Sequence, residues 1–104
     1  SMSRSYGKKL LDDMSKVTEM TAGVALGQLC VKANIPVAHI AVAAEATPMT
    51  VYSWFRGSEI RKKNRKRLEA LVSLMQDDFA KGVLPVNSYA ESRRYIESLI
   101  GHPI

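Results

Sequence analysis

The chain has little of what enzymes, metal sites and secreted scaffolds are built from. Its 104 residues include one cysteine, Cys30, so no internal disulfide can form, and its two scattered histidines complete no metal-ligand cluster. The six glycines, Gly7, Gly23, Gly27, Gly57, Gly82 and Gly101, are all isolated, which leaves no glycine-rich loop to cradle a phosphate. No His, Cys and acid constellation and no nucleophile motif is present. The adjacent pairs Asp12-Asp13 and Asp77-Asp78 point in different directions on a helix and read as solvated face. The expectation is a protein that is not an enzyme and uses neither cofactor nor metal. Apolar runs as long as a membrane span are also missing, and the N-terminus is too charged and too poor in apolar residues for a signal peptide. A chain with no membrane contact, resident in the cytoplasm, is expected. There are no internal repeats and no low-complexity segments. Ser1 ahead of Met2 reads as a remnant of tag removal and is set aside.

What is present is helical pattern. At 46% hydrophobic residues the chain has enough apolar side chains for one small core. Leu10, Leu11, Met14 and Val17 recur at spacings of three and four, predicting a short amphipathic helix from about Lys8 to Val17 that packs on the core or reaches a partner. Thr21 can cap a second helix carrying Val24, Leu26, Leu29, Cys30 and Ala33, with Cys30 as a small core residue. Asn34 suits the left-handed position that ends it. A third helix runs from about Pro36 to Ala44 with Ile40, Ala41 and Ala44 in register.

Thr47-Pro48 then writes a helix start almost letter by letter. The threonine hydroxyl can accept from a first-turn N–H, and proline is tolerated at the first helical position because its missing N–H would have no partner there. The predicted helix covers Met49 to Arg56, with Val51, Trp54 and Phe55 inward, and stops at Gly57. Only Glu45 and Ala46 separate the third helix from the Thr47 cap. So tight a connection forces a steep crossing, the helix-turn-helix geometry in which the second helix can enter the DNA major groove.

Leu68, Leu71, Val72, Met75 and Phe79 predict a helix from about Asn64 to Lys81. Arg61 and Arg65 would continue its apolar seam backward, so the helix either starts near Asn64 or projects past the core at its N-terminal end. Asn87-Ser88 with Glu91 resembles a capping box ahead of a last helix, with Tyr89, Ile96, Leu99 and Ile100 on one face and Gly101 as its stop. That helix serves as a core element or as a dimer contact. The fold expected is an all-α, compact bundle of five to six helices. It divides into an N-terminal amphipathic segment 1–20, a central unit 21–82 and a C-terminal extension 83–104.

The net charge of +5 is unevenly placed. Arg56, Arg61, Lys62, Lys63, Arg65, Lys66 and Arg67 stand against the single acid Glu59, so this stretch carries +6 and the rest of the chain −1. Clustered Lys and Arg displace condensed counterions from a phosphate backbone, the main source of sequence-independent affinity for DNA.

Leu26, Leu29, Ala33, Ile35, Ile40, Ala41, Ala46, Thr47, Thr50, Val51, Trp54 and Gly57 fall without a gap on the pattern of the Cro/C1-type (lambda repressor-like, XRE) helix-turn-helix domain, which this third of the chain resembles. Thr50 to Gly57 looks like its recognition-helix ending. Glu45 stands where that family usually has glycine, and Ala44 where a larger apolar residue is common. A locally reshaped turn is therefore expected.

The resemblance implies a double-stranded DNA-binding transcriptional regulator of bacterial or phage type, repressor-like and acting as a homodimer. It implies Pro48, Met49, Tyr52 and Ser53 facing the groove, Thr47 beside them, and Thr50 and Val37 near phosphate. His39 reads as a phosphate neighbour or as a lone surface histidine. The groove set contains no Arg, Asn or Gln for bidentate base contacts. Thymine-methyl contact, DNA shape and dimer spacing are then left to supply sequence preference, and the cations from Arg56 to Arg67 to supply affinity. Two other readings use the same scaffold: a phage protein that binds and modulates a host protein, and a DNA-packaging or replication accessory subunit.

Overall fold

Three hydroxyl side chains set where half of the helices begin. Thr21 Oγ1 accepts from Val24 N at 3.1 Å, Thr47 Oγ1 from Thr50 N at 3.2 Å and Ser88 Oγ from Glu91 N at 3.0 Å, each from a residue in extended backbone. The computed structural model describes residues 6–104. Ser1 and the start of segment 1–20 lie outside the described residues. The helices are α1 (Lys8–Ser15), α2 (Ala22–Ala33), α3 (Val37–Ala44), α4 (Pro48–Phe55), α5 (Lys62–Ala80) and α6 (Tyr89–Ile100). Among the described residues there is no strand, and the chain is an all-α bundle. None of these helices is long and apolar enough to cross a membrane.

α2 packs against α4 and α5, while α3 packs against α4, α5 and α6. Leu26, Ile35, Ile40, Phe55, Leu68, Met75 and Ile96 meet in the centre with their side chains out of reach of water. Each such side chain contributes about 1.5–3 kcal/mol relative to exposure. α2 lies so close to α4 that a Cβ at Gly23 would sit 2.8 Å from Trp54 Cβ and 2.9 Å from the Trp54 carbonyl oxygen. Only glycine permits that approach. α1 ends at Ser15, short of Val17, and packs inward through Leu10 and Met14. Just before it, the buried Tyr6 donates its hydroxyl to the Ile35 carbonyl.

α5 begins at Lys62, earlier than Asn64, and its first buried residue is Leu68. Arg65 is exposed. Of the two arrangements the sequence allowed, the helix therefore projects past the core, and its cations lie beyond the apolar seam.

The C-terminal segment is bound into the core. Val86 N donates to the Ala33 carbonyl at 3.0 Å, and Asn34 Nδ2 donates to the Val86 carbonyl at 3.0 Å. Asn34 holds the left-handed conformation expected of it, with φ 63°. α6 turns Ser92, Tyr95 and Ile96 inward over α3, and Tyr95 Oη donates to Asp78 Oδ2 at 2.5 Å. The expected face is corrected at two positions. Tyr89 is exposed, because it precedes the buried row by a full turn, and Tyr95 takes the inward place. In the capping box, Glu91 Oε2 accepts from Asn87 N at 2.7 Å.

Candidate functional site

α4 is held from one side. Val51, Trp54 and Phe55 are buried, whereas Thr47, Pro48, Met49 and Thr50 are exposed and Tyr52 and Ser53 half-buried. Met49 is 81% exposed, more than any other large apolar side chain described. Two of the four hydroxyls at this surface donate within it. Thr47 Oγ1 donates to Thr50 Oγ1 at 3.1 Å, and Ser53 Oγ donates to the Thr50 carbonyl at 2.6 Å. Lone pairs and apolar surface are what those two side chains leave facing outward.

The turn before α4 keeps its left-handed residue despite the glutamate. Glu45 has φ 55° and ψ 45° and closes α3 through its backbone N–H. This corrects the expected reshaping. An L-residue can hold that conformation for about 1–2 kcal/mol, which the buried helices on either side absorb. Outside the turn, Glu45 Oε2 lies 2.9 Å from Arg67 Nε.

α5 starts with a concentration of positive charge. Arg61 is its N-cap but makes no side-chain cap bond, and no acid stands in its first turn. Lys62, Lys63, Arg65 and Lys66 follow, all exposed. Free N–H groups and the positive end of the helix dipole already favour an anion there, and every added cation raises that preference. Among the described residues, Arg61, Lys62, Lys63 and Lys66 belong to no ion pair, and Arg65 Nε donates to the Ile60 carbonyl at 3.4 Å.

The α4 surface and this helix start adjoin. A groove of about 390 Å³ is lined by Thr50 and Ser53 of α4 and by Arg61, Lys63 and Asn64 at the start of α5, together with Glu45 and Glu59. Among the described residues, no group of three or more His, Cys, Asp and Glu side chains is placed to hold a metal ion. Neither a family model nor a curated protein nor a solved structure matches the chain.

The remaining candidates are dispersed. Val37 and His39 are buried, 3% and 5% exposed, and their side chains face the core instead of a ligand. Both expectations of phosphate contact through these side chains are corrected. α6, packing on α3, covers the face that would otherwise be open. His39 Nδ1 lies 2.7 Å from Ser92 Oγ, and its ring centroid is 4.4 Å from that of Tyr89. Burial, and then the nearby Arg93 charge, hold the imidazole below its ordinary pKa.

Arg56 is likewise engaged. Its Nε lies 3.0 Å from Asp13 Oδ2, and its guanidinium carbon sits 6.0 Å from the Tyr52 ring centroid. Asp13 also holds Lys9 at 2.9 Å, and the hydrogen bonds from Lys9 and Arg56 keep its carboxyl below the usual range. Asp13 is thus no idle member of a solvated pair. The two acids that temper the basic stretch, Asp13 and Glu45, were missed from sequence. Only the Lys9-Asp13 spacing of four carried any local signal.

Proposed function

We propose that this protein binds double-stranded DNA as a small transcriptional regulator of the helix-turn-helix type, with α4 at the major groove and the start of α5 on phosphates. The observation that carries this reading is the exposed beginning of α5, where five cations stand at an uncapped helix end with no acid in its first turn, and two of them, Arg61 and Lys63, line a groove with Thr50 and Ser53 of α4. A phosphate there would take up free N–H groups and neutralise side chains that otherwise repel one another. The short α3–α4 connection, with its left-handed Glu45 and capped Thr47, is what a helix-turn-helix needs to present its second helix. Action as a homodimer on a two-fold site belongs to the same proposal.

A salt titration tests it. Binding to a mixed duplex pool should weaken steeply, with log K falling about 0.9 per contacted phosphate against log salt, giving a slope near −4 for four or five contacts. Replacing Lys62, Lys63 and Lys66 together by Glu should abolish binding without loss of helicity. A slope equal to one or two released ions overturns the proposal. The exposed Met49 favours a second reading, a protein partner seated on α4. An absence of duplex binding at moderate salt, in the wild type as in the triple charge reversal, would select it.

A further inference from the structure

The open face of α4 has an unusual chemistry for a surface beside so many cations. It carries no amide, guanidinium or ammonium group. Pro48 and Met49 are apolar, and Thr47 and Ser53 spend their hydroxyl protons on Thr50. A surface of that kind cannot make the paired donor contacts that read guanine, nor the donor-and-acceptor pair that reads adenine. Beside the single hydroxyls of Thr50 and the half-buried Tyr52, what it presents farthest outward is the flexible thioether of Met49. The apolar group that base pairs display in the major groove is the C5 methyl of a pyrimidine.

We infer that α4 recognises this C5 methyl, the group shared by thymine and 5-methylcytosine, with Met49 as the side chain in contact. The inference rests on the DNA-binding reading above and states what that site would discriminate. Charge commits the face to nucleic acid: Glu45 and Glu59 offset Arg61 and Lys63 within the groove they share with Thr50 and Ser53, but Lys62 and Lys66 beside it also pair with no acid among the described residues, so a ligand reaching from the start of α5 to α4 is anionic over the cations and apolar where it meets Met49. A methyl meets both conditions in DNA, since it projects from the base edge between two phosphate rows.

The test uses the full chain and duplexes selected from a random-sequence pool at moderate salt. The selected duplexes are remade with deoxyuridine for thymidine, a change that removes only methyl groups. Affinity should fall about four-fold for each contacted methyl, the factor carried by burial of one such group. Met49→Ser, at an exposed position that leaves the core intact, should bind thymine and uracil duplexes equally. A second selection, from a pool made with deoxyuridine and 5-methyldeoxycytidine, should enrich 5-methylcytosine at the contacted positions, and failure there overturns the extension beyond thymine. Equal affinity of the wild type for thymine and uracil duplexes overturns the inference while DNA binding stands. So does a uracil penalty that persists in Met49→Ser, since it would come from altered DNA shape. No enrichment of any duplex overturns both this inference and the reading beneath it.

Discussion

α3 and α4 are neighbours of equal length, eight residues each, yet they are held in opposite ways. Six residues of α3 are buried and it starts at Pro36 without a side-chain cap bond. α4 buries three, and both Thr47 and Pro48 mark its start. An isolated eight-residue helix is unstable in water, so each must be supported from outside its own backbone. α3 draws that support from three neighbouring helices and needs no local signal. α4 keeps one side open, so it depends on its cap and on a short inward row. The helix with the weaker tertiary hold is the one with surface to offer.

The comparison breaks first at Trp54. It is 2% exposed and is the largest side chain by which α4 grips α2 across Gly23. Trp54→Ala should cost about 3–5 kcal/mol in urea unfolding, much of the total stability of a domain this size, because the cavity cannot close without moving α4. A loss under about 1 kcal/mol would mean that α4 is held elsewhere.

The α3 side is probed at His39. His39→Ala leaves the buried Ser92 hydroxyl without its partner and should cost roughly 2 kcal/mol. The histidine also imposes a pH dependence of known sign. Its folded pKa lies below the ordinary value near 6.5 because burial, then Arg93, disfavour the charged form. The unfolded chain therefore binds the proton first. The stabilisation is complete above about pH 6.5 and is lost as the pH falls through that value toward the lower folded pKa. Urea midpoints should drop between pH 7 and pH 5.5 in the wild type, and the drop should shrink in His39→Ala. Equal drops in both proteins would exclude His39 as its source.

The two helices also differ in how far sequence reveals them. The caps at Thr21, Thr47 and Ser88 act over three residues, and the inward rows of α2, α4 and α5 repeat at helical spacing, so both can be read from one stretch of chain. The same holds for Asn34, whose side chain tolerates the left-handed region. The reading of His39 as a surface or phosphate-side group failed for a physical reason. Its partner Ser92 is 53 residues away, and nothing on α3 alone says that a later helix will cover it. Arg56 and Asp13, 43 residues apart, pose the same problem in charge. Counting cations from Arg56 to Arg67 located the basic end of α5. It could not show that Arg56 and Arg67 are each already facing an acid.

That last point makes Glu45 the finest test of the contrast, because it sits in the turn joining the two helices. Glu45→Gly relieves a left-handed glutamate, worth about 1 kcal/mol, but frees the unfolded chain by roughly 0.4–1 kcal/mol and removes a largely exposed ion pair of small value. These effects nearly cancel, and stability should change by no more than about 0.5 kcal/mol. Binding should not cancel. On the proposed reading, Arg67 without its carboxylate partner becomes free to join the α5 cations on phosphate, so DNA affinity should rise and the salt dependence steepen by about one released ion. An unchanged slope would place Arg67 off the phosphate path and limit the proposed phosphate contacts to the cations from Arg61 to Lys66, across the groove from α4.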